Sequence, residues 1–182
     1  MTILYTVGHS NRSADDLLTL LSEHQIEILI DIRAFPRSRR YPHFDRGSLQ
    51  GALSHQEIDY LWLGNSLGGF RKPVPDSPHT ALTDTAFRGF ADYMGNAEYH
   101  AAVTALIAQA AERRSAIMCA ELQAEHCHRQ FIADDCLRRG IEIRHLTHGR
   151  AYRLHTPNPC LDNSVDPPRY NRHEQGDLFP VP

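Results

Sequence analysis

With 182 residues, four cysteines and a net charge of -3, the chain is sized for one domain with a sizeable core and is not a general polyanion binder. Its cysteines are unevenly spaced and form no C-x-x-C pair, which argues against a disulfide scaffold, a zinc ribbon and a thioredoxin-type site. The chain opens with no basic flank and holds no apolar run of spanning length, so no membrane is expected and the cytoplasm is the expected location.

Residues 3–7 form a β-rich run that ends at Gly8-His9-Ser10. Ser13 followed by Asp16 predicts a capped helix, with Leu17, Leu18, Leu20 and Leu21 as its apolar face. Residues 26–32 are the clearest strand and end at Asp31-Ile32-Arg33. A polar loop, a short helix from Arg46 and a strand over residues 58–63 follow. Gly64, Gly68 and Gly69 with Pro73, Pro75 and Pro78 predict a long loop. Two helices come next, one carrying Phe87, Phe90, Ala91 and Met94, the other spanning residues 97–113 with Val103, Leu106, Ile107 and Ala110 on one face. A buried strand at residues 115–118, a helix from Cys127 to Gly140 and a strand over residues 141–146 close the pattern. Strands alternating with helices predict an α/β fold, a mostly parallel sheet with helices on both faces, as a single domain over residues 1–150. Pro157, Pro159, Pro167 and Pro168 then predict a Pro-rich C-terminal tail over residues 151–182 that behaves as a linker.

The chemistry gathers at strand ends. If three of these strands are parallel neighbours, His9, Ser10, Asp31, Arg33, Cys119 and Glu121 share one rim, the edge where α/β proteins bind ligands. Asp31 beside Arg33 stays ionised and orients His9 or the arginine. His9 or His128 transfers protons near neutral pH. Cys119 reads as a nucleophile, a metal ligand or a buried filler. The expected catalytic set is therefore His9, Ser10, Asp31, Cys119, Glu121 and His128. Cys127, His128 and Arg129 fall in the first turn of a helix, where free N–H groups and the dipole favour an anion and lower the Cys127 thiol. His9, Cys119, Cys127 and His128 also form a candidate mixed site for a transition metal.

Arg33, Arg37, Arg39, Arg40 and Arg46 crowd residues 33–46. Their guanidinium forks suit phosphate, and Phe35, Tyr41 and Phe44 suit stacking on bases, so nucleic acid or a nucleotide is the expected partner. The simpler alternative is a solvated loop whose arginines pair with surface carboxylates. The expected anion-binding set is Arg33, Arg37, Arg39, Arg40, Cys127 and Arg129.

Thr6-Val7-Gly8-His9-Ser10, Asp31-Ile32-Arg33 with Pro36 and Ser38, Leu63-Gly64 with Leu67-Gly68-Gly69, Phe90-Ala91-Asp92-Tyr93-Met94, and Met118-Cys119-Ala120-Glu121 with Cys127-His128-Arg129 occur in this order. The set resembles the family called domain of unknown function 488 (DUF488) over about residues 2–148. That resemblance implies a compact α/β domain and supplies no reaction. Ile30-Asp31-Ile32-Arg33 and the order strand, Cys119, loop, helix, Gly140, strand are also similar to rhodanese sulfurtransferases. The loop departs from theirs, because it holds Glu121, Glu125 and two imidazoles, and Arg129 stands ten residues after Cys119. A carboxylate beside the thiol disfavours thiolate and persulfide.

Near the C-terminus, Gln175, Asp177, Leu178 and Phe179 match the pentapeptide by which bacterial polymerases and repair proteins dock on the sliding clamp, with Gly176 in place of the usual leucine. Together these features predict an enzyme or enzyme-like protein of DNA or nucleotide metabolism or repair that acts on a phosphate-bearing substrate. A thiol sulfurtransferase and a non-catalytic nucleic-acid adaptor tethered to the clamp are the alternatives.

Overall fold

The computed structural model describes residues 1–165 and 167–172. Its centre is a six-stranded sheet of β1 (Ile3–Gly8), β2 (Ile28–Asp31), β3 (Asp59–Trp62), β4 (Ser115–Cys119), β5 (Glu142–Leu146) and β6 (Tyr152–Leu154) in the order β3-β2-β4-β1-β5-β6. The first five strands are parallel, and β6 joins β5 antiparallel. Every residue of β2 and β4 is buried, as expected of strands covered on both faces.

Helices cover both faces. On one face α1 (Ala14–Glu23) and α2 (Arg46–Ser54) bring Leu17, Leu21, Leu49 and Leu53 onto Val7, Leu29, Ala116 and Met118. On the other, α3 (Gly64–Leu67), α4 (Thr85–Tyr93), α5 (Ala97–Glu112) and α6 (Arg129–Arg138) bring Leu67, Phe90, Val103, Leu106 and Phe131 onto Leu4, Ile30, Ile117 and Ile143. Neighbouring strand residues alternate between the two cores, as the two-residue period of a strand requires. The links β1→β2 and β2→β3 run one way along the sheet behind the α1/α2 face. The links β3→β4 and β4→β5 run the other way behind the opposite face. A single crossover hand produces this pattern. The direction reverses between β1 and β4, so their carboxyl ends frame a crevice.

Local signals held where the chemistry was local. Ser13 Oγ accepts from the Asp16 N–H at 3.0 Å, and the Asp16 carboxylate accepts from the Ser13 N–H at 3.2 Å, which completes the predicted capping box. A short helix, α3, occupies part of the segment read as a long loop. The rest of that loop is pinned to α4 by Asp92, which accepts from the Val74 N–H and the Ser77 hydroxyl.

The linker expectation needs correction up to residue 172. β6 extends the main sheet, and β7 (Leu161–Asp162) pairs with β8 (Arg169–Tyr170) as a small ribbon. Tyr170 is fully buried, with its ring edge-on to Phe131 at 4.8 Å and its hydroxyl donating to Asp134 at 3.0 Å. A polar relay fastens this strap. Asp134 accepts from His155 Nε2 at 2.8 Å, so His155 Nδ1 accepts from His145 Nε2 at 2.9 Å. His145 Nδ1 then accepts from the Thr6 hydroxyl at 2.7 Å, and Thr6 Oγ1 accepts from Arg129 at 3.0 Å. Every bond in this direction is satisfied with both imidazoles neutral. Prolines shaped the strap without freeing it, because its anchors are long-range contacts that composition does not show. The clamp-like segment Gln175, Asp177, Leu178 and Phe179 lies outside the described residues. Among the described residues no helix is long and apolar enough to cross a membrane.

Two outcomes follow from the strap. Tyr170→Ala leaves a hole beside Phe131 and is expected to lower the unfolding free energy by about 3–5 kcal/mol in denaturant titrations. Burial, then the neighbouring His155, push His145 down to about 3. Between its ordinary value of 6.5 and that lowered value, the unfolded chain binds a proton that the folded chain refuses. Stability therefore falls as pH falls through this window, by up to about 1.4 kcal/mol per pH unit for this group. His145→Gln is expected to flatten the slope measured between pH 6 and pH 4, two values chosen about the middle of that window; an unchanged slope assigns the acid sensitivity elsewhere.

Candidate active site

β4 lies between β1 and β2, so the three strand ends meet as the sequence predicted. Gly8 pairs with Cys119 in register, the His9 N–H donates to the Cys119 carbonyl at 3.0 Å, and the Ser10 N–H donates to the Ala120 carbonyl at 2.8 Å. Parallel pairing thus continues past the strands and holds the loop after β4 against the turn after β1. Glycine is required at position 8, because a Cβ there would stand 1.9 Å from the Glu121 carbonyl oxygen. Ser10 takes a left-handed φ of 49°, and its hydroxyl turns to Asn11. Its contribution is the turn that presents His9.

Beyond β2, Asp31 and Arg33 form a buried ion pair. Arg33 Nη2 and Nε reach the Asp31 carboxylate at 2.6 and 2.9 Å, and the Arg33 backbone N–H donates to the same carboxylate at 3.0 Å. The Tyr60 hydroxyl adds a fourth donor at 2.7 Å. Burial first, and then Asp31, push the Tyr60 phenol upward, so it remains a donor. Two further guanidinium donors reach the Phe44 carbonyl at 2.8 Å and His9 Nε2 at 3.3 Å. His9 Nδ1 donates to the Ser10 carbonyl at 3.0 Å, which leaves Nε2 as the acceptor for Arg33. Burial, and then the Arg33 guanidinium, push His9 down to about 4, so its ring is neutral at neutral pH.

The other wall is a thiol–imidazole cluster. His128 Nδ1 stands 3.8 Å from Cys119 Sγ and 3.7 Å from Cys127 Sγ, and all three side chains are buried. The hydrogen bond with Cys127, and then burial, hold the Cys119 thiol well above its ordinary value. Burial also opposes a charge on Cys127, but hydrogen bonds from Cys119 and His128, with Arg129 nearby, outweigh it and hold that thiol well below. Cys119 therefore keeps the proton the two sulfurs share. Gly69 packs against this cluster, and a Cβ there would stand 2.7 Å from His128 Nδ1.

These walls enclose a cavity of about 380 Å³. His9, Arg33, Cys119, Glu121, Cys127 and His128 line it, and Arg37, Phe35 and Phe70 stand at its mouth. Phe35 and Phe70 are both exposed, with ring centroids 5.5 Å apart. Asp31 lies behind Arg33 and does not reach the cavity. Arg129 is buried beneath the loop, where it donates to the Glu121 and Leu122 carbonyls at 2.6 and 3.2 Å. It positions that loop instead of facing the cavity as the anion-binding expectation had it. Arg39 and Arg40 are exposed outside the cavity, with Arg40 over the Tyr41 ring. Phe44 is fully buried beside His9, so it cannot stack on a base. The four-residue metal set reduces to three, because His9 Nε2 is engaged by Arg33 and only Cys119, Cys127 and His128 converge. Sequence reasoning missed Phe70 and Tyr60 and gave no site role to Gly69 or to Phe87, which also lines the cavity. The glycine-rich segment before Phe70 was its only signal.

The family model described as Domain of unknown function DUF488 matches residues 13–136. The chain belongs to this family. Comparison with curated proteins and with solved structures finds no match in either. In this DUF488 domain the matched stretch spans Asp31, Arg33, Cys119, Cys127, His128 and Arg129. His9 precedes the matched stretch, while the strap that closes the fold follows it.

Removing one partner of the buried ion pair strands the other. Asp31→Ala is expected to cost about 3–5 kcal/mol of stability, read from denaturant midpoints. Tyr60→Phe removes a single donor to the same carboxylate and is expected to cost about 1–3 kcal/mol. A larger loss for Tyr60→Phe than for Asp31→Ala would contradict the central place given to the pair.

Proposed function

We propose that this DUF488 protein is an enzyme acting on a small phosphate-bearing substrate with a planar ring, of the nucleotide class, in the cleft beyond β1, β2 and β4. The observation that carries the reading is the content of one cavity. A thiol–imidazole cluster forms one wall, a neutral His9 faces it, and an exposed aromatic pair with Arg37 forms the mouth. A volume of about 380 Å³ suits a small molecule and not a folded partner. Phe35 and Phe70 offer faces on which a ring stacks. Arg37 has no ion-pair partner among the described residues, so its guanidinium is available to phosphate. Arg33 orients His9, since Asp31 matches its charge. Cys119, Cys127 and His128 are assigned as the reacting centre.

A thiol sulfurtransferase is the second reading. Cys119 at the end of β4, facing the cavity, favours it. The nearby His128 and Cys127, with Glu121 on the rim, set it apart from a tight loop around a lone reactive thiol. The DNA setting rests on the clamp-like residues Gln175, Asp177, Leu178 and Phe179. The described strap reaches residue 172, and two residues stand between it and Gln175 in the sequence.

The test is a panel of nucleoside phosphates screened for binding and turnover. Phe35→Ala/Phe70→Ala is expected to weaken binding by about 1–3 kcal/mol, from stacking lost on one base. Cys127→Ala and His128→Ala are expected to abolish turnover while the substrate still binds. Turnover that survives both variants would overturn the assignment. Sulfur transfer from thiosulfate to Cys119 would favour the second reading. A peptide of residues 173–180 titrated against a bacterial sliding clamp, with Leu178→Ala/Phe179→Ala as control, tests the DNA setting; equal binding by both peptides would remove it.

A further inference from the structure

We propose that Cys119, Cys127 and His128 are the three protein ligands of a zinc-class divalent metal ion whose fourth position opens into the cleft. The proposal deepens the active-site reading above and rests on it. One atom from each residue lies within 4.8 Å of the other two, and all three side chains are buried. Around a tetrahedral ion, sulfur at about 2.3 Å and nitrogen at about 2.0–2.1 Å stand about 3.6 Å apart. His128 Nδ1 lies 3.8 and 3.7 Å from the two sulfurs, so both nitrogen–sulfur edges are already close to the length such a tetrahedron requires. Two sulfurs and one imidazole nitrogen form a borderline-soft donor set, which selects zinc over magnesium or calcium.

The surroundings fit the same ion. Gly69 leaves the space beside His128 Nδ1 open, since a Cβ there would stand 2.7 Å from that nitrogen. The Arg129 backbone N–H donates to Cys127 Sγ at 3.5 Å, the kind of outer hydrogen bond that supports a metal-bound thiolate. With Nδ1 on the metal, the imidazole proton sits on Nε2. Nε2 is buried without a hydrogen-bond partner among the described residues and the ring lies against Phe90 at 5.1 Å, so the polar contacts of this imidazole run through Nδ1 to the two sulfurs. The three side chains also line the cavity, so the side of the ion not covered by protein faces the substrate space. Three protein ligands with an open fourth position are the pattern of catalytic zinc. On binding, each thiol that is still protonated releases its proton to solvent, the Nδ1 proton of His128 is exchanged for one on Nε2 so that the neutral ring binds through its Nδ1 lone pair, and nothing is oxidised or reduced.

The test uses the full chain, freed of metal under reducing conditions and titrated with Co²⁺. We expect one Co²⁺ per chain with the intense near-ultraviolet absorption of thiolate-to-cobalt charge transfer, bleached when Zn²⁺ displaces it. Cys119→Ala and Cys127→Ala are each expected to lose the share of that absorption that the removed sulfur supplies and to bind Co²⁺ at least tenfold more weakly, while Cys160→Ala retains both. Far-ultraviolet circular dichroism establishes that each variant is folded, and His128→Ala, read by its weakened Co²⁺ affinity, replaces any that is not. Absence of the charge-transfer absorption in the wild type at saturating Co²⁺ would overturn the proposal without recourse to any variant, as would undiminished absorption and Co²⁺ affinity in folded Cys127→Ala. Nucleotide binding measured on metal-free protein, with Phe35→Ala/Phe70→Ala as control, separates the two claims. A silent cobalt titration beside intact nucleotide binding removes the metal and leaves the cleft. A positive cobalt titration without nucleotide binding removes the substrate class and leaves the metal.

Discussion

The geometry of the cleft depends on the buried Asp31–Arg33 ion pair. Two charges withdrawn from water cost several kcal/mol each, roughly, unless every lone pair and donor finds a partner. Here the carboxylate accepts from Arg33 Nε and Nη2, from the Arg33 backbone and from Tyr60. The guanidinium also serves the Phe44 carbonyl and His9. One pair thereby ties the end of β2 to β3 through Tyr60, to the loop before α2 through Phe44, and to the end of β1 through His9. The orientation of the His9 ring follows from a charge that must be satisfied.

The second constraint is strand order. With β4 between β1 and β2, the loop after β4 is hydrogen-bonded to the turn after β1 and flanked by the Asp31–Arg33 pair. Arg129 then fastens the same loop from below through the Glu121 and Leu122 carbonyls. Its remaining contact, to Thr6, begins the relay through His145 and His155 to Asp134. The strap over residues 152–172 and the loop that carries the cleft are therefore connected by one hydrogen-bonded network. The strap is part of the domain's architecture, although it follows the stretch that matches the DUF488 family.

Much of this was legible in the sequence, for physical reasons. Periodicity and glycine placement located five strands and the capped helix α1, because those signals are local. The convergence of His9, Asp31, Arg33 and Cys119 followed from reading strand ends and assuming parallel neighbours. The failures were non-local. β6, β7 and β8 are two or three residues long, too short for a period to register, and their prolines resemble those of a linker. Tyr170 and Asp134 are 36 positions apart, and neither announces the other. Arg129 looked like an anion ligand from its place in the first turn of a helix, but its guanidinium turned to backbone carbonyls. Phe70 and Tyr60 reach the site from elements whose own patterns carry no functional mark.

The cleft framed by the ends of β1, β2 and β4 is the proposed substrate site. The most direct measurement is an NMR titration of the isotopically labelled full chain with a nucleoside monophosphate, read at the backbone amides. Saturable shifts are expected to concentrate at Arg37, Phe35, Gly69, Phe70, Ala120 and Glu121, with α1 and α2 silent. Shifts confined to α1 and α2, or none at millimolar ligand, would contradict it.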